Sequence, residues 1–435
     1  MRLRTGLLAP LTLVTFVLAA AVACAPATGG RSGSPASPPA AEHHAMSMAA
    51  PTAAAQASPR KLRAQFEQLL GLHALLAVRL MRGVVAAAPD FVAVASASLQ
   101  DNTDALSRLV AAAYGGAHGD RFTQLWQRHI TDLLAYANGV ASHDTSAKQT
   151  ARASLLADAD AYGSWVAAAS NGRVKAGDAA AGVRMHVQEL MQQADAYAVR
   201  DYDRAYRIER QAYEHMFTAG VSLVKGSVTP ELAVGLDAPP ERLRSAFAML
   251  LGEHMELIVD TQRATFAGAS EFKAAAAQVN ANTAALTKGM GAIVGPRKAA
   301  EFQSAWANHV EGLLAYSTAV ASNDEAAKTT AAQNLDGFAS RLALFFSDIV
   351  RNELPVKALT DVLSVHDKHL VDQVDAYAAN DYAKAQQMQL EGYQQMLGVA
   401  NTLVGAIQKT VKPGLPVGGS QTGGGGTAQR RDDLG

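Results

Sequence analysis

One fifteen-residue pattern occurs twice in this chain, and it limits the possible folds more than any other feature. The first copy is residues 122–136 and the second is residues 302–316. In each copy, the large apolar residues are spaced from the initial phenylalanine so that they fall on one face of a helix, the face expected to be buried. A histidine, His129 or His309, lies on that face in each copy. The pattern therefore predicts two buried amphipathic helices, each with an inward histidine.

The duplication extends well beyond this pattern. Matching residues are separated by 181 positions near the start of each unit and by 180 positions afterwards. We predict a first unit at residues 60–227, a linker at 228–240 and a second unit at 241–411. Stop signals divide each unit into about six helices with short connections. The predicted fold is all-α, with two tandem up-and-down bundles of about six helices that resemble ferritin or hemerythrin only in general appearance.

Composition agrees with a helical, globular chain. Hydrophobic residues make up 49% of the sequence and aromatic residues only 6%, with many alanines and no sustained alternation of β-branched residues. These proportions favour helices with small-residue packing. The formal net charge is -1, so no overall charge attracts nucleic acid, and we predict no nucleic-acid partner.

The first 24 residues predict export. Arg2 and Arg4 precede an apolar run at residues 7–23, which is the layout of a signal peptide and is too short for a permanent membrane span. Cys24, the single cysteine, follows this run in the position of a bacterial lipoprotein signal. We predict lipidation at Cys24 and an extracytoplasmic protein anchored to the cell membrane. Ordinary cleavage after residue 23 or 25 is the alternative.

Two further segments have compositions that cannot form a core. Residues 25–59 are rich in Ala, Pro, Ser, Gly and Thr, which predicts a disordered tether, and the Gly-rich residues 412–435 predict a disordered tail. Imidazoles and thioethers crowd together inside the tether, a donor mixture that suits copper. These secondary metal-ligand candidates are His43, His44, Met46 and Met48. The alternative is a low-complexity linker that contains them by chance.

The stronger metal candidates are histidines that occur at matching positions in both units. Within each unit they lie on three different predicted helices, always in the apolar stripe, and at a similar height of roughly 15–20 Å along each axis. An inward methionine on the sixth helix is predicted at the same height. The two sets are His73, His129, His186 and Met216, and His254, His309, His366 and Met396.

Three imidazoles and a thioether at one level of a bundle are the donors of a copper site, whereas three imidazoles alone would suit zinc with an open position. A shared ion requires the ring nitrogens to converge within about 3–5 Å of one another. The first alternative is that each histidine is a packing residue whose ring is hydrogen-bonded within the core. The chain would then be a structural or protein-interaction lipoprotein of the cell envelope. A third interpretation is non-covalent haem binding through two histidines.

Several catalytic and cofactor motifs are absent from the sequence. No Glu-x-x-His occurs, which argues against a carboxylate di-iron centre, and no His-Glu-x-x-His is present for a zinc protease. No Cys-x-x-Cys-His is present for covalent haem. We therefore predict a metal-binding protein that handles copper, and the sequence supplies no argument for enzymatic activity.

The order of motifs resembles a known group of proteins. Leu69-Leu70-Gly71-Leu72-His73 is followed by Trp126-Gln-Arg-His129, by Asp195-Ala-Tyr197 with Asp201-Tyr202, and by a last helix with methionine. This order is similar to that of a helical-repeat family of exported bacterial proteins, largely uncharacterised, some of which carry generic labels taken from copper amine oxidase N-terminal regions. The resemblance covers about three quarters of the chain. It implies a helical fold and an exported location, and it implies no oxidase activity.

Overall fold

The computed structural model describes residues 58–410, and all of the regular structure in this range is helical. The all-α prediction is confirmed. A short 3₁₀ turn, Gly235–Asp237, follows the seventh of the α-helices. The helices are α1 Pro59–Val85, α2 Pro89–Tyr114, α3 Gly116–Ala141, α4 Thr145–Ala169, α5 Ala176–Ala198, α6 Tyr202–Ser227, α7 Pro230–Val234, α8 Pro239–Ala267, α9 Phe272–Val294, α10 Pro296–Ser322, α11 Glu325–Ile349, α12 Val356–Ala378 and α13 Tyr382–Thr410.

The helix ends follow from local side chains. Asp201 caps α6, because its carboxylate accepts a hydrogen bond from the backbone N–H of Arg204 at 3.2 Å. Asp381 accepts the equivalent bond from the backbone N–H of Lys384 at 3.0 Å. Aspartate is a preferred N-cap residue, so the starts of α6 and α13 follow from the local sequence. At the other end of a helix, Asn323 closes α10 in the left-handed conformation that asparagine tolerates.

Two long helices are central to the packing. Helix α1 contacts α2, α3, α5 and α6, and α8 contacts α9, α10, α12 and α13. Within residues 58–410, α1 is the one helix long and apolar enough to cross a membrane, but 78% of its apolar window is buried against other helices. This is the environment of a core helix, so the apolar character of α1 is explained by its packing.

Matching residues of the two halves of the chain meet each other. The hydroxyl groups of Tyr213 and Tyr393, which are 180 positions apart, lie 3.3 Å from one another. Tyr213 donates to the backbone carbonyl of Met249 at 3.2 Å, and Tyr393 donates to that of Gln68 at 3.3 Å. Gln68 and Met249 also occupy matching positions, 181 residues apart. These contacts are reciprocal, as in a two-fold interface.

A buried ion network adds a polar contact between α1, α6 and α8. Arg82 on α1 donates to Glu209 on α6 at 2.6 Å and to Asp260 on α8 at 3.1 Å. Arg79, also on α1, pairs with Glu256 on α8. Each of these groups is largely removed from water, so loss of one partner would leave a buried charge without compensation.

The connection between α6 and α8 contains more structure than the sequence predicted. It holds the short helix α7, which begins at Pro230, and the 3₁₀ turn that follows. Leu236 in this turn is fully buried, and its carbonyl accepts a hydrogen bond from Arg63. The linker is thus attached to the core through one apolar side chain and one backbone group.

Several predicted features lie outside the described residues. They are the signal peptide, the lipidation site Cys24, most of the tether with its candidates His43, His44, Met46 and Met48, and the whole of the tail. The predictions made for them stay predictions.

Candidate metal centre

The first histidine triad is formed by three helices that pack around one point. His73 lies on α1, His129 on α3 and His186 on α5. The three ring centroids are 5.5 Å apart in every pair, so the rings form an equilateral triangle. One nitrogen of each ring lies within 4.8 Å of the others.

The second triad repeats this arrangement. His254 on α8, His309 on α10 and His366 on α12 have ring centroids 5.6 to 5.9 Å apart. One nitrogen from each ring again lies within 4.8 Å of the others. Histidines separated by more than fifty residues along the chain therefore converge twice, at matching positions.

These spacings are close to those of a ligated set. A metal at about 2.0–2.1 Å from three imidazole nitrogens, with each ring centre roughly 1 Å further out, places ring centres roughly 5 to 5.5 Å apart. The first triad already has this spacing. The second is wider by a few tenths of an ångström. Small side-chain shifts would bring the nitrogens of either triad to coordination distance.

The triads are buried and have no hydrogen-bond partners. All six histidines are at most 6% exposed. In the second triad none of the six ring nitrogens has a hydrogen-bond partner, and in the first triad five of the six are buried without one. Packing histidines would each bond a carbonyl or a side chain, because an unsatisfied buried polar group is unfavourable. The rings are thus arranged as ligands can be, with one nitrogen of each ring close to one nitrogen of the other two.

Burial keeps these rings uncharged. It lowers the pKa of His129 to about 4 and that of His366 to about 3, with His369 adding a repulsive contribution to the latter. The pKa of His73 is also lowered well below the usual value, first by burial and then by repulsion from His129. The same direction holds for His186, His254 and His309. Neutral imidazole is the form that binds a metal, so the triads are ready to bind at neutral pH.

An aromatic wall closes one side of each triad. The Trp126 ring lies 4.4 Å from His73, and its counterpart Trp306 lies 4.7 Å from His254. Phe122 and Phe302 pack behind the two tryptophans at 4.9 and 5.1 Å. These contacts explain why phenylalanine, tryptophan and histidine have the same spacing within both copies of the pattern. Each copy supplies both the aromatic wall and one histidine of its triad.

The two methionine candidates occupy different surroundings. Met216 on α6 lines a cavity of about 300 Å³ together with His129 and His186. Met396 on α13 lies beside Trp306 at a small space of about 20 Å³. Both methionines are buried, and the role of their thioethers as metal donors stays a prediction.

The sequence interpretation did not identify Asp367. Its Oδ1 lies 3.3 Å from Nδ1 of His309, although the two groups are not aligned for a hydrogen bond. Burial, and then the nearby Asp336, raise the pKa of this carboxyl well above its usual range. Val187 stands at the matching position of the first unit, so only the second triad has an acidic neighbour of this kind. That difference between the units was the signal available in the sequence.

No other cluster of potential metal ligands of the histidine, cysteine or carboxylate type occurs among residues 58–410. Comparison of the chain with protein-family models, curated proteins and solved structures finds no match. The resemblance to exported helical-repeat proteins therefore stays an expectation, and function must be argued from the two triads themselves.

Proposed function

We propose that this protein binds two metal ions, one in each histidine triad, and that the metal is copper. The observation that carries the proposal is the set of buried imidazole nitrogens that converge in threes without any hydrogen-bond partner. We further propose that the chain is two tandem six-helix bundles in an exported, lipid-anchored protein, and that its role is metal handling.

Metal binding accounts for an arrangement that is otherwise unfavourable. Each unsatisfied buried polar group lowers stability by about 1–3 kcal/mol. A metal ion that accepts one lone pair from each ring would satisfy three of these groups at once. The hydrophobic shell around the second triad supports tight binding, because it keeps competing water away from the ion.

The choice of copper rests on charge and on donor type. The first triad offers three neutral donors and no carboxylate ligand. The desolvation penalty of a buried ion rises with the square of its charge, so a monovalent ion is favoured over a divalent one. Cu(I) is monovalent and accepts imidazole and thioether donors, and Met216 lies at the same cavity as the first triad. Zinc is the alternative, and its double charge is the reason we place it second.

The other interpretations fit the geometry less well. A structural role for the histidines would require hydrogen-bond partners, which these rings lack. Haem held between two histidines would have its porphyrin plane between their rings. In the first triad the third ring is 5.5 Å from both of the others and would lie in that plane. Haem is therefore disfavoured.

The test is a stoichiometry measured on the full-length protein and on single-triad variants. Wild-type protein, loaded with Cu(I) in the presence of a chromophoric competitor, should retain two equivalents of copper. His129→Leu and His309→Leu should each retain one equivalent, and the double variant should retain none. A matched control removes the tether donors by substituting alanine at His43, His44, Met46 and Met48, and it should keep both equivalents.

Two results would contradict the proposal. One is a folded wild-type protein that takes up neither copper nor zinc. The other is copper that remains after both triads are disrupted but disappears with the tether substitutions, because the activity would then belong to the tether. Parallel titration with Zn(II) decides between the metals: two equivalents of zinc retained against a competitor that removes Cu(I) would overturn the assignment of copper.

A further inference from the structure

The two triads differ in what lies beside them. In the first unit, a cavity of about 300 Å³ has His129 and His186 in its lining. Its walls are mostly apolar and include Leu125, Trp126 and Val183. This volume is at the lower end of the range for small-molecule sites, and an apolar space half as large is enough for benzene.

The cavity reaches the protein surface. Asp178 on α5 and Thr218 and Ser222 on α6 belong to its lining and are exposed to solvent. A path therefore leads from the surface to the His129 and His186 imidazoles of the first triad. His129 is 6% exposed, whereas its counterpart His309 is completely buried.

In the second unit the same space is filled by larger side chains. On α5, Ala179 and Val183 are replaced by Leu359 and Leu363 on α12. All of the larger residues at these matching positions are buried, and the remaining space is about 20 Å³. Two further replacements are also by larger residues, Val166 by Phe346 and Ala219 by Val399, whereas Leu125 and Tyr162 are replaced by the smaller Ala305 and Leu342.

A further replacement acts directly at the triad. Phe338 stacks on the His309 ring with a centroid distance of 4.2 Å and an interplanar angle of 17°. The matching residue of the first unit is Asp158, which lines the cavity and accepts a hydrogen bond from Arg128 at 2.7 Å. The second triad is thus covered by an aromatic ring, while the first is adjacent to open space.

We propose that the cavity of the first unit binds a small, uncharged, apolar molecule that contacts the metal of the first triad. The contact with metal rests on the proposed function, whereas binding in the cavity does not. Lining residues determine the ligand class: they include two aspartates and no lysine or arginine, which disfavours an anion, and the apolar walls disfavour a cation. The second triad, which lacks this space, holds its metal without a second ligand of this kind.

The first experiment measures binding of indole to metal-free protein by calorimetry. One equivalent should bind to the wild type. Ala179→Leu with Val183→Leu introduces the residues of the second unit and should weaken binding at least tenfold, and the milder Ala219→Val should weaken it in the same direction. Val365→Leu changes an exposed residue on α12 and is the matched control, which should bind indole as the wild type does.

The second experiment tests the contact with metal. Cobalt(II) replaces copper because its visible spectrum reports its coordination, and 4-phenylimidazole combines an aromatic ring with one metal donor. The ligand should change the spectrum of one of the two bound cobalt ions. The filled variant, which carries Ala179→Leu and Val183→Leu, should keep two cobalt ions but show no change of spectrum.

Each outcome has a distinct meaning. Absence of indole binding, or equal binding by wild-type and filled proteins, overturns the cavity site. Indole binding without any metal uptake overturns the proposed function and leaves the cavity site standing. Metal uptake with an unchanged cobalt spectrum overturns the contact between ligand and metal.

Discussion

Replacement of a triad histidine by leucine should stabilise the metal-free protein, which is the opposite of what a core substitution normally does. His129 is suited to this test because it is buried and its Nε2 has no hydrogen-bond partner. Leucine is of similar size and has no polar atom to leave unsatisfied. The expected gain at pH 7 is about 1–3 kcal/mol, the usual penalty for a buried unsatisfied group.

The gain in stability from His129→Leu should be larger at acidic pH. Burial lowers the pKa of His129 to about 4 in the folded protein, whereas the unfolded chain has the ordinary value of about 6.5. Below pH 6.5 the unfolded state binds a proton that the folded state does not, so stability falls as the pH decreases toward 4. At pH 5 this difference amounts to about 2 kcal/mol for one histidine. His129→Leu removes the difference and should therefore gain about 2 kcal/mol more at pH 5 than at pH 7.

Denaturant unfolding of chelator-treated protein, followed by helical circular dichroism at both pH values, measures these free energies. His143→Asn is the control, since His143 is exposed in a left-handed turn that asparagine also tolerates. A variant less stable than wild type at both pH values would refute the reasoning and assign His129 to packing. With metal present at 1,000 times its dissociation constant, each site adds about 4 kcal/mol to the wild type, and the order of stability should reverse.

Two further predictions concern the second site and the cellular location. Asp367→Asn should reduce the copper affinity of the second site by about 10–100-fold and leave the first site unchanged, because a small shift of the ring would align the Asp367 carboxyl, 3.3 Å from His309 Nδ1, to hold that histidine in a ligating orientation. Competitor titration of the His129→Leu background, which isolates the second site, measures this. Cys24→Ala should move the protein from the membrane fraction to the soluble extracytoplasmic fraction, since lipid is the proposed anchor; retention in the membrane fraction would rule out lipidation as the anchor.

The periodicity of the chain was enough to predict a helical fold and to single out the six histidines. Apolar residues at helical spacing indicate which face of each helix is buried, and that information is local. The duplication then separated His73, His129 and His186 from the other histidines, because these recur at matching positions. The estimate of equal height along the helices followed from the constant rise per residue.

The tertiary structure decided what local patterns do not encode. Whether a buried imidazole has a hydrogen-bond partner depends on groups from other helices, and eleven of the twelve triad nitrogens are buried without such a partner. The contact between Asp367 on α12 and His309 on α10 likewise joins residues distant in sequence.

The sequence by itself determined the helices, the duplication and the identity of the candidate ligands. Only the tertiary structure decided that one triad borders a cavity of about 300 Å³ while the space beside the other is filled. The physical reason is that a cavity is the volume left between side chains of several helices. No single helix determines that volume. Each difference between the units, such as Ala179 in the first and Leu359 in the second, can be read from the sequence, but its effect on the cavity follows only from the packing.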